Sequence, residues 1–373
     1  MQKKVKASRS DDGYRMVVAG GGTGGHLFPG IAIAQAFKSR LEKNSVLFVN
    51  AGRPLERKVL SELGWDQKAI SIEGIKGRGR WHQIRAAIMI PGAIWRAWRI
   101  LKNFKADVVL SVGGYSAGPV AVAASLLGVT TVLHEQNRLP GVTNRILGRV
   151  VDRIYLSFEE SREYFDPDKI KVTGNPVRDE ILALATQCAE PANGDLFTVL
   201  VVGGSQGAHA INQAVVDALH ELKDVDGLRF VHQTGPEDKA AIEAAYDQTG
   251  VPATVQPFFH DMARLYKAAD MVICRAGATT VAEITVIGKA AVFVPFPFAA
   301  DDHQTLNAQA LSDAGAAEMI AQDDLSGSVL AKLIKGYREN RILLTEMGAK
   351  ARALGRPGAA SVIVDDIFEL LTK

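Results

Sequence analysis

The sequence predicts an α/β protein made of two doubly wound domains, and three observations predict it. Short apolar, β-branched runs alternate with helical patterns along the chain, as parallel sheets covered by helices on both faces require. A strand, glycine turn and helix start occur twice, in Val17-Val18-Ala19-Gly20-Gly21-Gly22-Thr23-Gly24-Gly25-His26 and again in Leu200-Val201-Val202-Gly203-Gly204-Ser205-Gln206-Gly207-Ala208-His209. The 373 residues suit about two domains at roughly 150 residues each. Ligands of such sheets bind beyond the carboxyl ends of the strands, so a cleft between the domains is the expected active site.

In chain order, 1–14 is polar and basic (Lys3, Lys4, Lys6, Arg9) with no apolar core of secretory length behind it. It is expected to be a disordered tail and not a signal peptide. The first domain, 15–176, has strand candidates at Arg15–Ala19, Val46–Val49, Val108–Leu110, Thr131–Leu133 and Arg153–Leu156. Val108 to Leu133 is uncharged and long enough to span a bilayer. Gly113, Gly114, Ser116, Gly118 and Pro119 break it, so a buried strand, turn, short helix and strand are expected instead. Polar Ala189–Asp195 reads as a connection. The second domain, 177–356, has strand candidates at Thr198–Val202, Arg229–His232, Thr254–Gln256, Met271–Ile273 and Ala291–Val294.

Composition excludes several classes. Hydrophobic residues at 47% and charged residues at 23% exclude a disordered chain. A net charge of +2 gives no support to a nucleic-acid partner. Cys188 and Cys274 are too few for a disulfide framework or a zinc cluster, and fit a reducing cytoplasm.

The glycine loops carry the chemistry. Gly20 to Gly25 lets backbone amides approach a ligand, and the following helix start favours an anion. The spacing Gly20-x-Gly22-x-x-Gly25 also matches a dinucleotide fingerprint. The next strand ends Phe48-Val49-Asn50-Ala51, without the acid that would hold a ribose, which disfavours a nicotinamide enzyme. A purely structural turn is the alternative for both glycine loops. His26, at the helix start, can contact a phosphate or take a proton from an attacking hydroxyl; the alternative is a capping or packing histidine. His134-Glu135-Gln136-Asn137 follows an apolar strand at its carboxyl end and has no metal-ligand spacing. Glu135 reads equally as a site residue and as a buried, hydrogen-bonded acid. Cys274 to Glu283 again joins strand to helix. Ala278, Thr279, Thr280, Val281 and Ala282 leave room for a phosphate. Glu283 can accept from two ribose hydroxyls or act as a capping-box acid. Asp301-Asp302-His303-Gln304 can hold sugar hydroxyls or form a charged first helical turn.

From Ile75 to Lys105, bulky apolar residues mix with basic ones, and no acid lies between Glu73 and Asp107. Ile75, Arg80, Trp81, Arg85, Trp95 and Trp98 suit the surface of an anionic membrane; a structural helix with a basic outer face is the alternative.

Seven motifs in order resemble the MurG family of bacterial N-acetylglucosaminyltransferases, from Arg15 to about Lys373. They are Gly21-Gly22-Thr23-Gly24-Gly25-His26-Leu27-Phe28-Pro29, Gly113-Gly114-Tyr115, His134-Glu135-Gln136-Asn137, Gly174-Asn175-Pro176-Val177-Arg178, Gly203-Gly204-Ser205-Gln206-Gly207, Cys274-Arg275-Ala276-Gly277-Ala278 and His303-Gln304-Thr305-Leu306-Asn307-Ala308. The resemblance implies a GT-B glycosyltransferase fold: two Rossmann-like domains with an inter-domain cleft, and a last helix, 357–373, returning to the first domain. It implies inverting transfer from UDP-GlcNAc to the 4-hydroxyl of undecaprenyl-pyrophosphoryl-MurNAc-pentapeptide (lipid I), giving lipid II of peptidoglycan synthesis. The nucleotide sugar is then expected mainly on the second domain. Its expected contacts are Thr23, Gly24, Gly25, Asn137, Arg178, Ser205, Phe259, Ala278 through Glu283, and Gln304. His26 is the first candidate base, with Tyr115 and Glu135 as further catalytic candidates. No cofactor or metal is implied. The enzyme is expected on the cytoplasmic side of the inner membrane, held peripherally by anionic lipid. A same-fold transferase using another lipid, such as a diacylglycerol, and a non-catalytic sugar-nucleotide sensor are the alternatives.

Overall fold

A computed structural model describes residues 12–70, 80–185, 196–204 and 206–373. The chain forms two units, one running to Arg178 and taking up Pro357–Lys373, the other spanning Asp179–Arg356.

Unit one alternates strand and helix: β1 (Arg15–Gly20), α1 (Gly24–Arg40), β2 (Ser45–Asn50), α2 (Pro54–Glu62), β3 (Gln67–Ala69), α3 (Arg80–Phe104), β4 (Val108–Gly113), α4 (Ala117–Leu127), β5 (Thr130–Glu135), α5 (Val142–Leu147), β6 (Arg153–Leu156) and β7 (Ile170–Val172). The sheet order is β3-β2-β1-β4-β5-β6-β7, and the pairings are parallel. Its central strands are built on apolar runs because both faces are covered. Met16 and Val18 enter a core with α1, whereas Val17 and Ala19 enter a second core with α3 and α4. The C-terminal helix, Ala359–Thr372, adds Ile363, Val364 and Ile367 to the first of these cores. Its buried Asp366 accepts from the Tyr155 hydroxyl at 2.9 Å and pairs with Arg153 and Lys171.

Unit two opens with α6 (Asp179–Ala185) and continues β8 (Phe197–Val202), α7 (His209–Leu222), β9 (Leu228–Gln233), α8 (Lys239–Thr249), β10 (Ala253–Gln256), α9 (Met262–Ala268), β11 (Met271–Cys274), α10 (Ala278–Ile287), β12 (Ala291–Phe293), α11 (His303–Asp313), β13 (Glu318–Met319), α12 (Gly327–Glu339) and α13 (Arg341–Leu354). Its parallel sheet has the order β10-β9-β8-β11-β12-β13. In each unit the order reverses beside the first strand, β1 or β8, and each glycine loop leaves that switch point.

The uncharged Val108–Leu133 is β4, a glycine turn, α4 and most of β5, as expected. No described helix is long and apolar enough to cross a membrane. Three strands escaped the sequence pattern: β3, β7 and β13. Each lies at a sheet edge and is two or three residues long, with polar side chains (Gln67, Lys68, Lys171, Glu318) where one flank has no strand to cover it. The central strands run further than their apolar cores. Pairing with neighbours carries β1 and β4 into Gly20 and Gly113, and carries β5 through His134 and Glu135, which were expected just beyond its end.

Candidate active site

In unit one, the ends of β1, β4 and β5 converge. Gly20, Gly21 and Gly22 have φ of 128°, 137° and 97°, a run that side chains resist. A Cβ on Gly20 would lie 2.2 Å from the Gly113 carbonyl oxygen, and one on Gly114 2.6 Å from that of Gly21. The two loops interlock through bare backbone, and Gly21 N donates to Gly113 O at 3.2 Å. A residue not anticipated from the sequence holds them. Buried Glu56, on α2, accepts from Gly22 N and Arg53 N, each at 2.6 Å. A glutamate three residues after a helix start was a visible capping signal, but its second contact lies across the fold.

Thr23 is the N-cap of α1, and Gly24 and Gly25 form its first turn, with no acid there. Such a turn presents backbone amides and the positive end of a long helix. Phe28 packs against Gly24, where a Cβ would meet its ring at 3.1 Å. The Arg178 guanidinium lies 4.9 Å from the Phe28 ring centroid. Arg178, expected with the second domain, is thus the last residue of unit one, and the stacking brings its charge beside the α1 turn.

His26 lies over Gly113, where a Cβ would approach its ring at 3.1 Å. Its Nδ1 is 3.0 Å from Gln136 Oε1. Gln136 Nε2 donates to Val112 O at 2.9 Å and lies 3.1 Å from His134 Nδ1, while His134 Nε2 is 3.3 Å from Gly174 O. His134 is fully buried, and desolvation lowers its pKa to about 4. Tyr115 is 42% exposed, beyond the Gly113–Gly114 turn. Glu135 does different work from the catalytic role weighed for it. Its buried carboxylate accepts from Asn137 N at 2.9 Å, Asn144 Nδ2 at 2.7 Å and Gly141 N at 3.2 Å. Burial raises its pKa, and these donors oppose the rise. Four residues ending in Asn137 therefore divide their tasks: Glu135 shapes the loop that carries Asn137, and Gln136 links two histidines.

In unit two, the second glycine loop is tied to its neighbours by Gln233, another residue the motifs did not single out. Gln233 Nε2 donates to Gly204 O at 3.0 Å and its Oε1 accepts from Phe259 N at 3.0 Å, which sets Phe259 beside the loop. Ser205 lies outside the described residues. The first residues of α10 are Ala278, Thr279 and Thr280, followed by Val281 and Ala282, and its N-cap is Gly277. Glu283 forms no capping box; buried a turn into α10, it accepts from the Tyr266 hydroxyl at 3.2 Å. Gln304 Oε1 accepts from Phe296 N at 3.1 Å, and Asp302 Oδ1 accepts from the Thr305 hydroxyl at 2.7 Å. Asp301 and Asp302 both have positive φ, 55° and 53°, so this loop holds a conformation that favours glycine.

Of the basic, tryptophan-rich stretch, Ile75 lies outside the described residues, and Arg80, Trp81 and Arg85 fall where α3 is described by its backbone alone. Trp95 is 56% exposed with Arg99 over its ring. Trp98 is half-buried: it packs on the core beneath α3, and Lys102 Nζ lies 4.7 Å from its ring centroid.

Comparisons with known proteins match both units. Residues 16–156 match the glycosyltransferase family 28 N-terminal domain, and 198–363 its C-terminal domain. A Syntrophus aciditrophicus protein named UDP-N-acetylglucosamine--N-acetylmuramyl-(pentapeptide) pyrophosphoryl-undecaprenol N-acetylglucosamine transferase is 50% identical over 361 residues, 96% of this chain and 99% of that one. A Myxococcus xanthus protein of the same name is 43% identical over 96% of this chain and 94% of that one. The crystal structure of Acinetobacter baumannii MurG superposes with a TM-score of 0.75 at 36% identity, covering 95% of this chain and 99% of that one.

Proposed function

The chain belongs to the UDP-N-acetylglucosamine--N-acetylmuramyl-(pentapeptide) pyrophosphoryl-undecaprenol N-acetylglucosamine transferases, with the two-domain GT-B fold, and from that membership we infer how its residues share the chemistry. It is a UDP-GlcNAc-dependent glycosyltransferase that passes N-acetylglucosamine to lipid I, giving lipid II of peptidoglycan synthesis.

The transfer inverts the anomeric centre. The muramoyl 4-hydroxyl attacks the anomeric carbon from the face opposite UDP. The new C–O bond forms as the bond to the diphosphate breaks, and UDP leaves with that electron pair. His26 takes the hydroxyl proton on Nε2. The observation that carries this reading is the seat of His26 in the first turn of α1, with the Arg178 charge beside the same turn. The α1 turn supplies a base and backbone amides, and Arg178, from the far end of the same domain sequence, brings a cation for the charge that develops on the leaving group. Thr23, Gly24, Gly25, Asn137 and Arg178 contribute to the nucleotide-sugar site from unit one. Ser205, Phe259, Ala278 through Glu283, and Gln304 contribute from unit two, with the amides of α10 on phosphate and Glu283 on the ribose hydroxyls.

A prenyl-anchored acceptor stays in its membrane, so the enzyme docks there. Exposed Trp95 and the basic face of α3 suit the anionic cytoplasmic leaflet of the inner membrane, held peripherally. Incubation of radiolabelled UDP-GlcNAc with a short-chain muramoyl-pentapeptide lipid tests the reading. The expected product is the lipid-linked disaccharide with inverted configuration; retained configuration, or transfer only to a diacylglycerol, overturns it.

A further inference from the structure

We propose that Gln136 and His134 are positioning residues that fix which ring nitrogen of His26 carries its proton, a proposal resting on the reading of His26 as the base. Two carbonyls set the direction, because a carbonyl only accepts. Gln136 Nε2 must donate to Val112 O at 2.9 Å, so the amide atom facing His26 Nδ1 at 3.0 Å is the oxygen. An amide oxygen also only accepts, so His26 Nδ1 bears hydrogen. At the far end, His134 Nε2 must donate to Gly174 O at 3.3 Å. The Nδ1 of the neutral His134 ring is then an acceptor, and takes the second Nε2 hydrogen of Gln136 at 3.1 Å. From Gly174 O to His26, each atom has one consistent role. Reversing any of them sets acceptor against acceptor in a buried place.

A histidine in water favours hydrogen on Nε2. The relay imposes the opposite tautomer on His26 and so places the basic lone pair on Nε2, the nitrogen that must receive the acceptor's proton. An amide does this without adding charge, unlike a carboxylate partner. His134 is linked to His26 through the Gln136 amide, and burial keeps it neutral near pH 7. Glu135, beside it on β5, turns its carboxylate to its own loop.

Nitrogen-15 NMR of the histidine-labelled enzyme near neutral pH reads the tautomer directly. Hydrogen on Nδ1 of His26 is expected; hydrogen on Nε2 alone overturns the proposal, whatever the kinetics. Gln136→Leu removes the relay. Turnover is expected to fall about tenfold or more, with KM for UDP-GlcNAc within about twofold, because the relay serves proton transfer and not donor binding. A folded Gln136→Leu enzyme with native turnover overturns it. Gln136→Glu keeps an acceptor but adds charge that holds the imidazolium, so the acidic limb of the kcat profile moves up by about one pH unit. A limb that stays in place overturns the relay even if the leucine variant does not fold. Full turnover in His26→Ala would remove the base reading and leave the NMR result standing, so the two failures are distinguishable.

Discussion

His26→Ala isolates the base from the binding loop around it. The glycine turn is backbone, anchored by Glu56 and by Gly113 O, and neither contact needs the imidazole. Turnover is therefore expected to fall by at least roughly a hundredfold, the low end for a lost general base, with UDP-GlcNAc affinity little changed. Steady-state kinetics beside titration calorimetry separates the two; near-native turnover rejects His26 as base. His134 makes a second prediction at this scale. Its pKa is about 4 in the folded chain against an ordinary 6.5, so between those values the unfolded chain binds more protons. Its contribution is complete above about pH 6.5 and declines as pH falls towards about 4, by about 2 kcal/mol at pH 5. Urea unfolding at about pH 7.5 and about pH 5 checks this. His134→Gln, which does not titrate, should lose about 2 kcal/mol less on acidification, and equal losses refute the assignment. Residue types near the site were legible because glycine loops and polar clusters at strand ends have a chemical reason. Glu56 and Gln233 were not singled out, because what defines each is a partner from a distant part of the chain; Gln136 was named with its motif, but its link between two histidines was not legible.

Elements were legible where burial is symmetric. β1, β4, β5, β8 and β11 each contain an apolar run because helices cover both faces, so composition alone marks them. Edge strands β3, β7 and β13 carry no such mark, since half their environment is not core. The same reasoning divides α3. A tryptophan-rich basic helix gives one signal in sequence but two fates in space: Trp98 stabilises the core, and Trp95 meets solvent. Membrane docking through α3 then predicts that reversing charge at Arg80 and Arg85 lowers binding to anionic vesicles by about thirtyfold or more, at about 1 kcal/mol per basic residue near the surface. Co-sedimentation with and without phosphatidylglycerol measures it. Binding that survives the reversal makes the basic face of α3 structural only.

The duplicated opening at Val17 and Leu200 foretold two sheets, and both follow the same strand order outward from their switch points. What repetition cannot foretell is that unit one is completed by the end of the chain. The C-terminal helix supplies Ile363, Val364 and Ile367 to the core around β1 and α1, and Phe368 packs edge-on against Tyr14 at 5.4 Å. Asp366 locks it down: one buried carboxylate gathers the Tyr155 hydroxyl from β6 together with Arg153 and Lys171. Removing it takes this acceptor from two cations and a buried hydroxyl. Both cations are partly exposed, so the loss is less than for a wholly buried pair. Asp366→Ala is expected to destabilise unit one by about 2 kcal/mol. In calorimetry the transition of unit one should drop by several degrees while that of unit two holds. Equal displacement of both transitions, or of neither, would mean that the last helix does not belong energetically to the unit it packs in.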